Sequence, residues 1–273
     1  HKFSDRNVYF ISNRTGSPVS DTILFRDGTK NAELWDAVTG QIVPLECCTS
    51  KNGAIAVSVK LEPFQSLFIV FYHSASEDKE KSINSELFRE NKILKILDVS
   101  CNVAFDTIWG GPENIQFDSL CDWSKRPEVG IRYYSGIAVY RKSFDFPEPE
   151  GSLKHSEIYL ALGKVKNLAR VRLNGKDMGI VWTAPWQVDI TDDVKRKGKR
   201  LEIEVANLWI NRLIGDESES WDGIAGGKWP EWLLNGTPRE SKRFAFTTHH
   251  FYKKGDPLYE SGLIGPVCIK VSD

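Results

Sequence analysis

What this chain lacks narrows it first. None of its 273 residues falls in an apolar run near the ~20 residues that a membrane helix needs, and the longest run, Leu67 to Tyr72, is strand-sized. A helical membrane span is therefore not expected. Neither charge sign is in surplus: Lys+Arg 36 against Asp+Glu 37 leave a formal net charge of -1, so nothing steers the protein towards nucleic acid or an anionic membrane. The five cysteines, Cys47, Cys48, Cys101, Cys121 and Cys268, include no C-x-x-C pair, and an odd number cannot all pair within one chain. Cys47 and Cys48 are neighbours on an apparent strand and are expected to point to opposite faces as packing residues. The chain begins at His1 without the basic, apolar and small-residue succession of a signal peptide, so it reads as a fragment or a processed product. Two sequons, at Asn13 and Asn235, matter only in a glycosylating secretory route.

Several catalytic signatures are missing as well. No Gly-x-Ser-x-Gly elbow is present. Asp222 to Trp229, DGIAGGKW, superficially resembles a phosphate loop, but Asp222 stands where the first glycine is required and Trp229 where Ser or Thr should follow the lysine. His249 and His250 are expected to alternate faces on a strand, and His73 and His155 are isolated, so zinc is unsupported. A glycosidase needs two carboxylates facing one another across a bond, and Asp222 with Glu231 is the best local pair without being a marked one.

What is present is β-patterning. The first segment is a procession of short strands, Val8 to Ser12, Thr22 to Arg26, Gln41 to Leu45, Ala54 to Lys60 and Ser66 to Tyr72, with turn chemistry at Asp27-Gly28, Thr39-Gly40 and Asn52-Gly53. That spacing predicts a small β-sandwich over residues 1–75. Residues 76–92 are charged and lack a helical period, and are expected to be a connector. Residues 93–273 form the second domain, expected to be a jelly roll of about eight strands in two packed sheets. Its most heavily patterned stretch, Ile158 to Asp216, reads as pure β-sheet: Ala169, Val171 and Leu173 alternate with Arg170 and Arg172 up to Asn174-Gly175, then Leu201, Ile203 and Val205 alternate with Glu202 and Glu204. Gly136 to Phe146, ended by Pro147 and Pro149, and Leu263 to Val271, broken at Gly265-Pro266, are further strands. Arg243 to His250 is also expected to be one. The basic run Lys195 to Arg200 reads as a solvated turn. The fold class is all-β throughout.

Six of the nine tryptophans fall between Trp182 and Trp232. An indole ring suits the C–H face of a sugar while its N–H stays free for a hydroxyl, so Trp182, Trp186 and Trp209 on the strands, and Trp221, Trp229 and Trp232 in the long aperiodic connection Glu217 to Arg239, are candidate carbohydrate contacts. Asn211 and Arg212 are polar candidates beside them. Core or interface packing is the competing reading for each ring. The acidic cluster Asp216, Glu217, Glu219 and Asp222 supplies the only candidate ligands for a structural calcium, against the plainer reading of a solvated acidic loop.

Taken together, several motifs carry a resemblance that covers nearly all of the chain. Tyr9 to Asn13 (YFISN), Glu33 to Asp36 (ELWD) with Thr39-Gly40, and Tyr134 to Phe144 (YSGIAVYRKSF) resemble the C-terminal part of large bacterial α-L-rhamnosidases. Val171 to Gly175 (VRLNG) through Gly179, then Trp182 and Pro185-Trp186, resemble the galactose-binding-like jelly roll of family 2 glycoside hydrolases. Asn207 to Asp216 (NLWINRLIGD) and Ser261 to Val267 (SGLIGPV) resemble the rhamnosidase version more narrowly. Gln65, where a glycine would be expected, and the charged connector depart from the pattern.

The resemblance implies an enzyme whose catalytic (β/α)₈ barrel lies N-terminal to such domains and removes rhamnose from plant polysaccharides by inversion, with two glutamates and a calcium ion. A barrel needs about 250 residues of alternating strand and helix, which this chain does not contain. No catalytic residue carries over, because the matching motifs lie outside the barrel. The expectation is a set of accessory domains, not an enzyme in itself, with a rhamnose-containing plant polysaccharide or oligosaccharide and its own catalytic domain as partners, working in the bacterial periplasm or outside the cell. The alternatives are a stand-alone carbohydrate-binding module and purely structural domains with no ligand.

Overall fold

The first seven strands, among which β6 alternates apolar and polar side chains most clearly, are β1 (Arg6–Ser12), β2 (Val19–Phe25), β3 (Ala32–Trp35), β4 (Ile42–Leu45), β5 (Cys48–Thr49), β6 (Ile55–Leu61) and β7 (Ser66–Tyr72). The structure, a computed structural model, describes residues 1–26, 29–45, 47–49, 54–74, 91–97, 100–146, 157–193 and 198–272. The expected turns at Asp27-Gly28 and Asn52-Gly53, residues 76–90 of the connector, the end of a strand at Pro147, His155 and Lys195 to Lys197 lie outside them. The chain divides into two units: His1–Lys92 with Thr183–Pro185 and Val271–Asp273, and Ile93–Trp182 with Trp186–Lys270.

In the first unit, β1, β7, β3 and β4 form one antiparallel sheet and β2, β6 and β5 another. Both sheets feed one core: Phe25, Ile55, Val57 and Val59 from the second meet Leu34, Ile69 and Phe71 from the first. At period 2, this puts Ile55, Val57, Val59 and Leu61 on the buried face of β6. The sequence pattern did not mark β3, because Ala and Glu are poor strand formers and four residues are too few to show a period. Tertiary pairing with β7 makes it a strand nonetheless, burying Ala32 and Leu34.

The second unit carries β8 (Asn91–Ile96), β9 (Cys101–Phe105), β10 (Ile115–Phe117), β11 (Ile137–Phe144), β12 (Glu157–Ala161), β13 (Lys164–Lys166), β14 (Leu168–Leu173), β15 (Lys176–Val181), β16 (Gln187–Asp189), β17 (Lys199–Ala206), β18 (Gly262–Gly265) and β19 (Cys268–Ser272). Among the described residues these make a six-stranded sheet in the order β10-β9-β11-β17-β14-β15, a four-stranded sheet β16-β12-β19-β8, and a separate pair β13-β18. That is more than the eight strands in two sheets expected.

Asn174 and Gly175 take φ 53 and 83 in the β14–β15 hairpin, the positive values a tight turn requires. Ala169, Val171, Leu173, Leu201, Ile203 and Val205 are buried on one face of the six-stranded sheet. On the other face Arg141 pairs with Glu202 at 3.0 Å in an exposed contact that adds little stability, and Arg172 pairs with Glu204 in a half-buried one. The core is aromatic: fully buried Trp123 donates its indole N–H to the Tyr140 hydroxyl at 2.6 Å, and Phe105 and Tyr134 pack edge-on against Trp123. Gly262 makes room for that ring. It has φ +94, and a Cβ there would lie 2.4 Å from Trp123 Nε1.

A helical turn, α1 (Val129–Arg132), precedes β11. Three sequence expectations fail locally. Residues 158–216 are not all sheet, since Ile210–Asp216 form a helix, α2, that buries Asn211, Arg212, Ile214 and Asp216. With three polar residues on its inner side, the helix hides its period from an apolar count. The connection after it holds a short helix, α3 (Glu231–Asn235), ended by Gly236 at φ 66. Arg243 to His250 is not a strand. The Phe244 and Ala245 N–H groups donate to the Asp216 carboxylate at 3.0 and 2.7 Å instead of to a ladder.

Candidate functional site

The candidate site is the long connection from Glu217 to Ser261, and three arginines organise it. Each guanidinium lies over an aromatic ring and faces a carboxylate, a combination that satisfies a planar, always-charged group better than either contact alone.

Arg212 is buried on α2. It donates to the Trp109 carbonyl at 2.9 Å, lies 3.9 Å from Asp216 and sits 4.2 Å above the Phe244 ring. Burial lowers its pKa, with the Asp216 charge acting in the other direction. Burial likewise raises the Asp216 carboxyl, against the backbone N–H groups of Ala245 and Phe244 and the charge of Arg212.

Arg239 grips Asp222 with two parallel bonds of 2.7 and 2.8 Å, and its guanidinium carbon is 4.7 Å from the centre of the Trp232 ring. Ser241 donates to the same carboxylate at 2.5 Å. Arg243, buried, donates to Glu217 at 2.5 Å and lies 4.9 Å from the centre of Trp221. The other Glu217 oxygen lies 2.5 Å from Nδ1 of His250, whose ring packs 3.9 Å from Trp221. For Glu217 and Asp222 alike, burial pushes the carboxyl up, but the arginine hydrogen bonds, joined by His250 and Ser241 respectively, outweigh it and hold both below their ordinary values.

This arrangement sorts the tryptophans. Trp221 donates its indole N–H to the Ile224 carbonyl at 3.1 Å, and Trp232 donates to the Asp222 carbonyl at 2.9 Å, so both rings are engaged within the loop. Trp229 differs: it is 49% exposed and backed by Phe246, with ring centres 6.0 Å apart and planes 24° apart. It is an aromatic platform with one supported face. Trp209, 46% exposed, packs edge-on against Trp109, and Trp182 is 62% exposed at the end of β15. Trp186 is half-buried with its Nε1 shielded and unpaired among the described residues.

Asn211 and Arg212 are buried on the inner side of α2; Asn211 bonds both backbone groups of Tyr259. The calcium candidates Asp216, Glu217 and Asp222 face arginines, while Glu219 is exposed, and no three His, Cys, Asp or Glu side chains converge among the described residues. Asp222 is enclosed by Arg239 and Ser241, whereas Glu231 is exposed in the first turn of α3. The glycines of DGIAGGKW make a turn, Gly226 and Gly227 at φ 57 and 75, closed by Ala225 and Lys228 exchanging backbone bonds of 3.2 and 3.0 Å.

The sequence reading missed Arg239, Ser241, Arg243 and Tyr259. The one available signal was compositional: arginines and phenylalanines at Arg239, Arg243, Phe244 and Phe246 recur just after the acidic tryptophan segment, as a cation–aromatic assembly would need.

Comparison with known proteins agrees with this architecture. Residues 132–236 match the family model described as "Glycosyl hydrolase 2 galactose-binding domain-like". Over 99% of its length the chain superposes on part of a rhamnosidase from Novosphingobium sp. PP1Y, with TM-score 0.74 and 30% identity, covering 23% of that protein. A protein of Formosa agariphila named "Putative beta-glucuronidase" is 44% identical over 162 residues, 58% of this chain and 14% of that one. The chain thus spans under a quarter of either relative. It is all-β, with a galactose-binding-like domain related to those of glycoside hydrolases.

Proposed function

We propose that this chain provides accessory, non-catalytic β-domains of a rhamnosidase-type glycoside hydrolase, supporting its catalytic barrel and meeting rhamnose-containing carbohydrate at the exposed rings of the second unit. The observation that carries this reading is the similarity to the Novosphingobium rhamnosidase, which extends over both units and not over the galactose-binding-like domain alone. Trp229, held flat against Phe246 by a loop pinned through Arg239 and Arg243, suits the stacking of a sugar ring, because little rotamer freedom is lost on binding. The proposed setting is the periplasm or exterior of a bacterium.

Calorimetry of the whole chain against rhamnose-containing oligosaccharides tests the reading: heat at millimolar ligand is expected, weakened by Trp229→Ala. A purely structural role is the second reading, favoured by the internal engagement of Trp221 and Trp232. It predicts no heat at all. Turnover of an aryl α-rhamnoside by the purified chain would sink the non-catalytic assignment.

A further inference from the structure

A second place on the same unit is shaped for a ligand. Beside the β13–β14 junction lies a half-open groove of about 320 Å³, at the small end of ligand-pocket sizes and enough for a single sugar ring. Its lining is mixed in the way a polyhydroxylated ring requires: the Asn167 amide, the Lys166 ammonium and Glu260 beside the apolar surfaces of Leu208, Leu258 and Tyr259. Glu260 is ion-paired to Lys164 at 2.5 Å, so its charge is compensated and the Lys166 ammonium is the unpaired charge in the groove lining among the described residues. Among the described residues, the side chains of Lys166 and Asn167 have no hydrogen-bond or ion-pair partner, which leaves their donors and the amide acceptor available.

The walls, in contrast, are fixed. Asn207 accepts from the Gly136 N–H at 3.0 Å and donates to the Tyr134 carbonyl at 2.8 Å. Asn211 holds the Tyr259 backbone from both sides at 2.7 and 2.8 Å. Asp122 receives the Ser261 N–H at 3.0 Å. The pinned backbone has the ordering cost of the walls removed in advance, while the unpartnered polar side chains are left to meet a ligand.

We infer that this groove binds one sugar ring, its hydroxyls meeting Asn167 and Lys166 and its C–H face resting on the apolar wall. The inference rests on the carbohydrate reading above and adds to it a site separate from Trp229. Methyl α-L-rhamnopyranoside and methyl β-D-galactopyranoside, titrated into the full chain and followed by NMR line shifts, are the probes. Asn167→Ala and Lys166→Ala should each weaken monosaccharide binding, read at the resonances of the groove residues, by about tenfold, while Ile108→Ala, exposed and outside both sites, leaves it unchanged. Near-UV circular dichroism confirms the fold of each variant, and Asn167→Asp, which keeps the side chain's size, serves as a second variant with partial loss expected. If Trp229→Ala abolishes monosaccharide binding and the Asn167 and Lys166 variants do not, the groove assignment is overturned and the carbohydrate reading stands. If the wild-type chain binds neither these glycosides nor the oligosaccharides, both fall.

Discussion

Asn211 holds Tyr259 by both of its backbone groups: the amide oxygen accepts the Tyr259 N–H at 2.8 Å and the amide nitrogen donates to the Tyr259 carbonyl at 2.7 Å. The two residues are 48 positions apart, and between them lies the whole arginine-braced loop. A residue on α2 thereby fixes where that loop returns to the sheet, and α2 also supplies Asp216 to the loop's middle.

Replacing Asn211 with Ala removes both bonds and leaves two backbone groups to part-buried surroundings, at a cost of about 2 kcal/mol. For a domain of this size that lowers the melting temperature by about 4–8 °C. Scanning calorimetry reads the shift directly, and an unchanged transition would show that Tyr259 is positioned by other contacts.

Acid should loosen the loop before the sheets. Glu217 and Asp222 have folded-state pKa values below their ordinary 4.5 and 3.8, so each contributes stability that is present above those values and is lost as pH falls through the depressed ones. Asp216, raised by burial, has the opposite sign and partly offsets them. Intrinsic fluorescence of Trp221 and Trp232 is expected to change below about pH 4. Asp222→Asn should weaken the loop at neutral pH and flatten that acid response; an equally steep response in the variant would rule out Asp222 as a source.

In the core, Tyr140→Phe deletes the acceptor that serves the Trp123 indole at 2.6 Å and the Leu263 N–H at 3.3 Å. Two buried donors are left unpaired, which costs about 2–4 kcal/mol. Urea unfolding should show a lower midpoint with an unchanged slope; a midpoint like that of the wild type would mean that water or a shifted side chain replaces the hydroxyl.

Chelation should leave the stability of the chain unchanged, because Glu217 and Asp222 carry their charge against arginines and need no cation between them. A drop in melting temperature in EDTA, restored by calcium, would contradict this.

Much of the fold was legible from period and punctuation. The alternation at Ile55, Val57 and Val59 and at Leu201, Ile203 and Val205, and the Asn174-Gly175 turn, act within a few residues of themselves and are obeyed in the structure, whereas Lys199 and Arg200, expected in a solvated turn, begin β17 with Lys199 buried. Ala32 to Trp35 was illegible because its strand character comes from pairing with β7, and Arg243 to His250 was misread because its β-forming residues donate to Asp216. Of the candidate contacts, the sequence singled out Trp229, but it could not separate that ring from Trp221 and Trp232. Their indole N–H groups are engaged by carbonyls 3 and 10 residues away in geometry set by the folded loop.

The sequence by itself determined an all-β chain with its strand faces and hairpin turns, since these follow from steric and hydrophobic rules that act locally. Only the tertiary structure decided which polar groups are buried and which surfaces stay open. The pairing of Arg212, Arg239 and Arg243 with carboxylates and rings, the clamp of Asn211 on Tyr259, and the groove at Asn167 all join residues distant in sequence. Charge, hydrogen-bonding capacity and ring stacking carry no period, so their partners are chosen only when packing brings them within reach.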